Sequence, residues 1–468
     1  MIEDTTEEPQ KGRRNPKPAE AVPALVIQWL TGGQNVVGGV VFADEAVVFG
    51  RGEGESESRA IPVRLAPGEN VALGVVAAPW LSRRQLRLQA VGDKLMVENL
   101  GRVPLLYRGV PERQVVLKAG ERVVLGEPGA EAFGVFAMRA LPRVLPPLAS
   151  WGQTLHRLGE ADAVGLVGET PVMWALRDRI AFLARQSGHV LVVGASGSGK
   201  ERVAQALHHL SPRTAPMVAR NAATIPASLM DVELFGHVAN FPNPGMRERP
   251  GLIGQADGST LFLDEIGELP HELQAHLLRL MDSGDYQRLG DPRPRRVDVR
   301  VIAATNRPRT DLKPDLVARF RHVIEVPSLS ERSDDVMLLA RHILANAAKE
   351  DPLVARTFFS GDEPRLAFEL VDALLSHPLP MQVRELEALL WDAITSSVSG
   401  AGAGAVLRAG PSLSEAVVEE RGELTREGLQ AALDRNGGNI ERSARELGLK
   451  NRYVLRRLMA KHGLVARG

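Results

Sequence analysis

Two segments decide the fold of the middle of this 468-residue chain: GASGSGKE at Gly194–Glu201 and LFLDE at Leu261–Glu265. The first follows the apolar run Val190–Val193 and precedes a predicted helix over Lys200–Leu210, which gives a strand, a glycine-rich loop and a helix. Glycines let such a loop approach phosphates closely, and its free amides and the helix N-terminus favour an anion. The two segments together predict a nucleoside-triphosphate site in an α/β domain.

The loop supplies most of the predicted phosphate contacts. Lys200 provides a positive charge for the β- and γ-phosphates, whereas Glu201 stands where Ser or Thr usually holds magnesium. The residues expected to contact the nucleotide here are Gly194, Ala195, Ser196, Gly197, Ser198, Gly199, Lys200 and Glu201.

Polar residues follow two further predicted strands. Leu261–Leu263 leads into Asp264, expected to hold Mg²⁺, and Glu265, expected to orient or deprotonate the attacking water. Val299–Ala303 leads towards Thr305 and Asn306, which could sense the γ-phosphate. Taken alone, Asn306 is also typical of a simple turn.

Seven segments in the same order resemble the AAA+ domain of bacterial enhancer-binding proteins, the sigma-54-dependent transcription activators. The resemblance covers Val164–Leu390 and implies ATP and Mg²⁺ as ligands, with a glutamate after the loop lysine as a family feature. The matching segments are LVGETPVM (Leu166–Met173), GASGSGKE, SPR (Ser211–Arg213), ELFGH (Glu233–His237), ADGSTLFLDEIGELP (Ala256–Pro270), VDVRVIAATNR (Val297–Arg307) and VREL (Val383–Leu386).

The resemblance also implies roles for residues outside the loop. Asn221 matches an asparagine that restrains Glu265. Arg319 falls where the family has an arginine finger acting on a neighbouring subunit, with Arg321 close by, and Arg384 matches a second sensor in the lid. A finger acting between subunits implies self-association, from a dimer to a ring of six or seven. The three arginines alone are equally typical of a solvated or ion-paired helix surface.

The main departure follows ELFGH, where the family has a GAFTGA loop that contacts sigma-54. The segment of the same length is Asn240–Gly245, with Pro242 for the phenylalanine and Asn243 for the threonine. Pro242 and Pro244 fix φ and remove amide donors, so this degenerate loop cannot freely adopt the family's backbone conformation. We therefore expect the protein to retain the ATPase ring but not productive sigma-54 remodelling. Smaller departures are Ala195 and Gly254 for two glutamates, and LPMQVREL for the family's WPGNVREL in the lid.

The C-terminal segment 421–468 resembles a Fis-type helix-turn-helix. It contains 11 Lys+Arg against 5 Asp+Glu, whereas the whole chain has a formal net charge of +0. This asymmetry favours DNA as a partner over a merely solvated basic helix. The resemblance to Fis-type modules implies that the DNA is contacted by a dimer. The candidate groove or phosphate contacts are Lys450, Asn451, Arg452, Arg456 and Arg457.

The N-terminal part consists of short alternating apolar runs separated by Gly, Pro and Asn, which predicts an all-β sandwich. It resembles a forkhead-associated (FHA) domain through GR at Gly50-Arg51, LSRRQ at Leu81–Gln85, ENLG at Glu98–Gly101 and RG at Arg108-Gly109. The resemblance implies that Arg51, Ser82 and Arg83 grip a phosphothreonine, although Gln85 replaces a structural histidine and Val103 the usual ligand-binding asparagine. A docking or oligomerisation sandwich is the alternative.

The expected organisation is multidomain, with an all-β sandwich, an α/β P-loop ATPase with a helical lid, and a small all-α DNA-binding domain. The predicted boundaries are a disordered tail at 1–22, the FHA-like sandwich at 23–140, a linker at 141–163, the ATPase core at 164–326, its lid at 327–395, a flexible linker at 396–420 and the helix-turn-helix at 421–468.

Composition limits the remaining possibilities. The chain has no cysteine, which excludes disulfides and cysteine-based metal sites and fits a reducing, cytoplasmic location. Apolar runs stay well below the length of a membrane span, so no membrane partner is expected.

Three classes of function remain open. The first is an ATP-driven transcription regulator whose ring acts on the sigma-54 polymerase holoenzyme under control of the FHA-like domain, which makes the chain an expected ATPase. The second is an ATP-binding regulator independent of sigma-54, in which ATP governs assembly. The third is a phosphopeptide adaptor with an inert ATPase domain.

Overall fold

The computed structural model describes residues 21–52, 59–127, 129–398 and 405–410, together with 430, 433 and 443. Internal contacts define two compact units: the first contains the strands up to Pro142 and extends to Leu148, and the second begins at Ala149.

The first unit is built from antiparallel strands. They are β1 (Ala21–Leu30), β2 (Val40–Phe42), β3 (Val47–Phe49), β4 (Val63–Arg64), β5 (Val71–Ala72), β6 (Leu86–Val91), β7 (Lys94–Asn99), β8 (Leu105–Tyr107), β9 (Val110–Glu112), β10 (Gln114–Leu117), β11 (Arg122–Leu125) and β12 (Gly134–Pro142).

These strands form two sheets, ordered β5-β4-β2-β1-β12-β11-β8-β9 and β10-β7-β6-β3. Alternate side chains are buried, such as Leu86 and Leu88 on β6, and the Phe49 and Phe136 rings meet edge to face with centroids 5.7 Å apart. The antiparallel β-region expected from the alternating runs is therefore present.

The ends of this unit differ from the expected boundaries. Ala21 pairs with Pro142 and Val22 with Leu141, so the first and last strands each extend two residues past the expected limits of 23 and 140. Backbone pairing between two strands distant in the chain determines these ends. Such pairing cannot be read from local composition.

The second unit begins with a three-layer α/β domain followed by a helical lid. Its elements are α1 (Pro171–Ala184), β13 (Val190–Val193), α2 (Lys200–His209), β14 (Val218–Asn221), α3 (Met230–Phe235), α4 (Gly251–Gln255), β15 (Thr260–Asp264), α5 (His271–Ser283), β16 (Asp285–Tyr286), β17 (Arg295–Arg296), β18 (Arg300–Thr305), α6 (Pro314–Arg319), β19 (His322–Glu325), α7 (Val336–Glu350), α8 (Pro352–Phe358), β20 (Phe359–Ser360), β21 (Glu363–Pro364), α9 (Phe368–Ser376) and α10 (Gln382–Val398).

The central sheet is parallel, in the order β14-β15-β18-β13-β19. Successive residues of its strands face opposite helical layers: Leu191 packs with the α5 side, whereas Val190 and Val192 pack with α1 and α2. The predicted strand at Val190–Val193 is confirmed, and the predicted helix after the loop ends at His209. The carboxyl ends of parallel strands meet at one edge, which is where such folds bind ligands.

The expected linker at 141–163 is not free chain over its whole length. The Asp162 carboxylate accepts a 2.7 Å bond from Arg177 Nε on α1, and both side chains are at most 1% exposed. His156 Nε2 lies 3.2 Å from Glu169 Oε1. Asp162 and His156 therefore contact the α/β domain through their side chains.

The predicted flexible linker at 396–420 also differs where it is described. Helix α10 continues to Val398, and Leu407 is fully buried. Leu407 N–H donates to Arg365 O and Leu407 O accepts from Ala367 N–H, both at 2.8 Å. The lid thus extends beyond its expected end at 395.

Most of the predicted helix-turn-helix lies outside the described residues. In it, Gln430, Leu433 and Ser443 are helical, and Leu433 is 3% exposed. The candidate DNA contacts Lys450, Asn451, Arg452, Arg456 and Arg457 are not among the described residues.

Candidate functional site

The glycine-rich loop joins β13 to α2 at the edge where the strands end. Gly197 and Gly199 have φ of 77° and 103°, which favour glycine, and Gly199 is the N-cap of α2. A Cβ at Gly199 would meet no atom within 4 Å, so the space on that side of the loop is open. The loop and the N-terminus of α2 therefore lie at the edge where the strands end, a geometry that favours an anion.

Lys200 lies between the loop and the carboxylates. Its ammonium donates to Gly194 O at 3.1 Å and Ala195 O at 3.3 Å, and Glu265 Oε1 is 3.7 Å away. The side chain is 6% exposed. One buried cation thus bridges the phosphate loop and the end of β15.

The two carboxylates end β15 with different roles in the hydrogen-bond network. Asp264 Oδ1 accepts from Glu265 N–H at 3.0 Å, and Glu265 has a φ of 51°. Glu265 Oε2 in turn accepts from the backbone N–H of Asn306 at 3.3 Å. The turn at Glu265 therefore directs its carboxylate across to the tip of β18.

Asn221 differs from the role that the resemblance implied. Its amide Nδ2 donates to Asp264 Oδ2 at 3.3 Å, and not to Glu265. The parallel register pairs Asn221 directly with Asp264, so the strand alignment decides which carboxylate it reaches.

The tip of β18 contacts the loop through its backbone. Thr305 O accepts from Gly194 N–H at 3.3 Å, and Thr305 Oγ1, fully buried, accepts from Arg307 N–H at 3.0 Å. Asn306 is exposed beside Glu265. These positions place both predicted sensor residues at the sheet edge that holds the loop.

The lid contacts the loop directly. Arg384 Nη1 donates to Ser196 Oγ at 3.2 Å, and the N–H of Val383 donates to Gly197 O at 3.1 Å. Glu201 lies exposed in the first turn of α2, where its carboxylate accepts from Gln205 at 3.3 Å.

Sequence reasoning missed a second lid contact. Arg332, 4% exposed, donates from Nη2 to Ser198 O at 3.3 Å and from Nη1 to Val167 O at 3.4 Å. Burial lowers the pKa of Arg332, while the charge of Asp335 opposes that shift. The 134 positions between Arg332 and Ser198 leave no local pattern from which this contact could be read.

The arginine-finger candidates lie away from these contacts in the chain. Arg319, the last residue of α6, pairs with Asp282 on α5, and both side chains are 46% exposed. Arg321 is exposed just before β19. Neither arginine contacts Lys200 or Glu265 within the described chain.

The loop suits a bound triphosphate. Ser198 Oγ is buried and has no hydrogen-bond partner in the described structure, and the space beside Gly199 is open. Asp264 supplies a single carboxylate, which suits Mg²⁺ because this ion usually keeps waters and phosphate oxygens as its other ligands. Among the described residues, no three His, Cys, Asp or Glu side chains form a metal site by themselves.

In the first unit, the predicted phosphate residues lie together. Arg51 N–H donates to Ser82 O at 3.1 Å, and Gly50 packs so closely on the Ser82 and Arg83 carbonyls that a Cβ there would collide with them. Arg51 Nη1 donates to Pro79 O at 3.1 Å, and Arg83 is exposed.

Gln85 performs a structural function in the first unit. Fully buried, it donates from Nε2 to Asn99 Oδ1 at 2.8 Å and Val103 O at 3.1 Å, and its Oε1 accepts from Ser82 N–H at 3.1 Å. Gln85 therefore fixes the loop that carries Ser82.

The loop after ELFGH is closed by its own hydrogen bonds. Asn240 N–H donates to Met246 O at 2.8 Å, and Gly245 N–H donates to Asn240 Oδ1 at 2.8 Å. Pro242 and Asn243 are exposed.

The parallel sheet, the glycine-rich loop and the acidic end of β15 define a P-loop α/β domain of the AAA+ type. A family profile described as the sigma-54 interaction domain matches residues 166–322. The transcriptional regulatory protein ZraR of Salmonella typhimurium is 35% identical over 327 residues, covering 66% of this chain and 72% of ZraR.

The anaerobic nitric oxide reductase transcription regulator NorR of Salmonella heidelberg is 39% identical over 313 residues, covering 60% of each chain. A crystal structure of NtrX from Brucella abortus in complex with ATP aligns with a TM-score of 0.47 at 28% identity, covering 64% of this chain and 69% of NtrX. On the similarity to ZraR and the matching profile, the chain belongs to the family of sigma-54-dependent transcriptional regulators.

Within the part of the chain that the structure describes, no helix combines the length and apolar character needed to cross a membrane.

Proposed function

We propose that this chain is an ATP-hydrolysing, DNA-binding transcription regulator. The observation that carries the proposal is the convergence of Lys200, Asp264 and Glu265 beside an open glycine-rich loop at the ends of parallel strands. The family membership supports transcription regulation as the output of that site.

The residues of the site divide the work of phosphoryl transfer. The loop amides and Lys200 would bind the triphosphate, and Asp264, whose Oδ2 accepts a hydrogen bond from Asn221, would hold Mg²⁺. Bound Mg²⁺ would supply charge neutralisation at the phosphate oxygens. Glu265 orients the attacking water and accepts its proton, and the backbone N–H of Asn306 positions the Glu265 carboxylate.

The test of this proposal is hydrolysis by the Glu265→Gln variant. We expect ATP hydrolysis to fall by about a hundredfold or more, because the amide is a poor proton acceptor, while ATP binding persists. Glu272→Gln, an exposed change on α5, is the matched control and should hydrolyse ATP at the wild-type rate. Equal hydrolysis by wild type and Glu265→Gln would reject the assigned role.

The outer regions complete the proposal. Residues 421–468 are proposed to bind DNA as a dimer, and the first unit is proposed to dock a phosphothreonine protein through Arg51, Ser82 and Arg83. Titration of wild type and Arg51→Ala with phosphothreonine peptides tests the second point, with Arg84→Ala as an exposed control. Equal weak binding by all three would favour a plain docking sandwich.

A second function is favoured by the loop at Asn240–Gly245. Its two prolines and internal hydrogen bonds restrict the loop that would contact sigma-54. They favour the alternative in which the protein regulates transcription by binding ATP and DNA without remodelling sigma-54. Transcription from a sigma-54 promoter by the purified chain and holoenzyme separates the two: activation would reject this alternative, and its absence alongside ATP hydrolysis would favour it.

A further inference from the structure

The turn between α9 and α10 holds two residues in an unfavourable backbone conformation. Leu379 and Gln382 have φ of 49° and 57°. Glycine and asparagine tolerate positive φ far better than leucine or glutamine, so the surrounding contacts must stabilise this turn.

The Gln382 side chain supplies those contacts. It is 7% exposed; its Oε1 accepts from Leu329 N–H at 2.5 Å, and its Nε2 donates to Leu379 O at 3.3 Å. Leu329 lies in the segment that leads from β19 into the lid. One buried amide therefore ties the connection between sheet and lid to the turn before α10.

The residues next to Gln382 contact the phosphate loop. Val383 N–H donates to Gly197 O at 3.1 Å, and Arg384 reaches Ser196 Oγ at 3.2 Å. A Cβ at Gly197 would collide with Met381 O, so the turn lies directly on the loop. The conformation of Gln382 thus sets where the lid meets the nucleotide-binding backbone.

We propose that Gln382 is a positioning residue for the nucleotide, acting through Val383 and Arg384. The inference rests on the proposed ATPase function. Loss of its two hydrogen bonds frees the turn, so the Arg384 guanidinium and the loop lose their fixed relation before the ligand arrives. Nucleotide affinity falls because ordering this turn then becomes part of binding.

The test replaces Gln382 with Met, which keeps the length and removes both hydrogen bonds. We expect the Kd for ADP with Mg²⁺ to rise about tenfold, and the KM for ATP to rise with kcat nearly unchanged, since Glu265 and Asp264 are untouched. Hydrogen exchange should report faster exchange of the Leu329 amide in this variant.

The matched control is Gln274→Met. Gln274 on α5 is 1% exposed and also bridges two backbone groups, donating to Leu269 O at 2.9 Å and accepting from Lys313 N–H at 3.3 Å. A general loss of stability would affect both variants, whereas a positioning role raises the Kd of Gln382→Met alone.

An unchanged Kd in Gln382→Met, or an equal rise in Gln274→Met, overturns the inference. ADP binding by wild type supports the proposed nucleotide site whichever result the variants give. A wild type that binds no ADP overturns both. If Gln382→Met fails to fold, Gln382→Gly serves instead: glycine suits positive φ and has no side chain to reach Leu329, and the same tenfold rise is expected.

Discussion

Asp335 is a fully buried carboxylate at the start of α7, where it links the lid to the segment before α1. It accepts from Glu169 N–H at 2.7 Å, from Thr170 N–H at 3.2 Å and from Thr170 Oγ1 at 2.6 Å. Arg332, which contacts the phosphate loop, lies three residues earlier. At the residue scale, buried polar groups therefore connect the start of the lid to the phosphate loop and to the segment before α1.

Burial raises the pKa of Asp335 to about 6, although the bonds from Thr170 and Glu169 favour its charged form. The folded state thus binds this proton more tightly than the unfolded chain, whose carboxyl titrates near 4. The stability that protonation contributes is fully present below pH 4 and is lost as the pH rises through about 6.

We expect the free energy of unfolding of wild type, relative to Asp335→Asn, to fall by about 1 kcal/mol between pH 5 and pH 7. Urea unfolding of both chains at several pH values measures this difference. Asp362→Asn, an exposed lid carboxylate, should follow the wild-type pH dependence. Parallel curves for wild type and Asp335→Asn would contradict the assignment.

At the scale of elements, the sequence predicted those parts of the site that are formed by residues close together in the chain. The strand, glycine-rich loop and helix at 190–209, and the acidic end of β15, follow from spacing and residue type. The contacts of Arg332 and Gln382 with distant backbone were not predictable, because they join residues far apart in the chain. The contact of Asn221 with Asp264 was not predictable either, because it follows from the register between β14 and β15.

The segment before α1 is packed against the α/β domain, although its composition is that of a linker. Prolines and polar residues predicted a linker, yet Asp162 pairs with Arg177, whose guanidinium also lies 4.5 Å from the Trp174 ring centroid. A linker and a packed extended segment have similar composition, and only the buried partner distinguishes them.

Asp162→Ala should lower the free energy of unfolding of the second unit by about 3–5 kcal/mol, because it leaves the Arg177 charge buried without its partner. Arg157→Ala in the same segment removes an exposed 4.0 Å pair with Glu160 and should cost less than about 1 kcal/mol. Thermal or urea unfolding compares the two, and equal losses would show that the segment is only a tether.

At the scale of the whole molecule, we propose that copies of the chain act on one another. Arg319 pairs with exposed Asp282 within its own chain, and its proposed partner is a nucleotide bound by a neighbouring copy. In this proposal, each active site combines Glu265 of one chain with Arg319 of the next.

Mixing two inactive variants tests this arrangement. Arg319→Ala alone should bind ATP normally and hydrolyse it at least about a thousandfold more slowly, as expected for a missing arginine finger. A mixture with Glu265→Gln should recover hydrolysis, since some contacts between copies then join an intact Glu265 to an intact Arg319. A mixture as inactive as its components would contradict a shared site.

The most direct test of the central claim is the affinity of the purified chain for ATP with Mg²⁺, measured for wild type and Lys200→Ala. We predict binding by wild type and an affinity weaker by about a hundredfold in Lys200→Ala, because the variant loses the buried cation beside the loop. Lys349→Ala, an exposed change on α7, should bind like wild type. No binding by wild type, or equal binding by Lys200→Ala, would contradict the account.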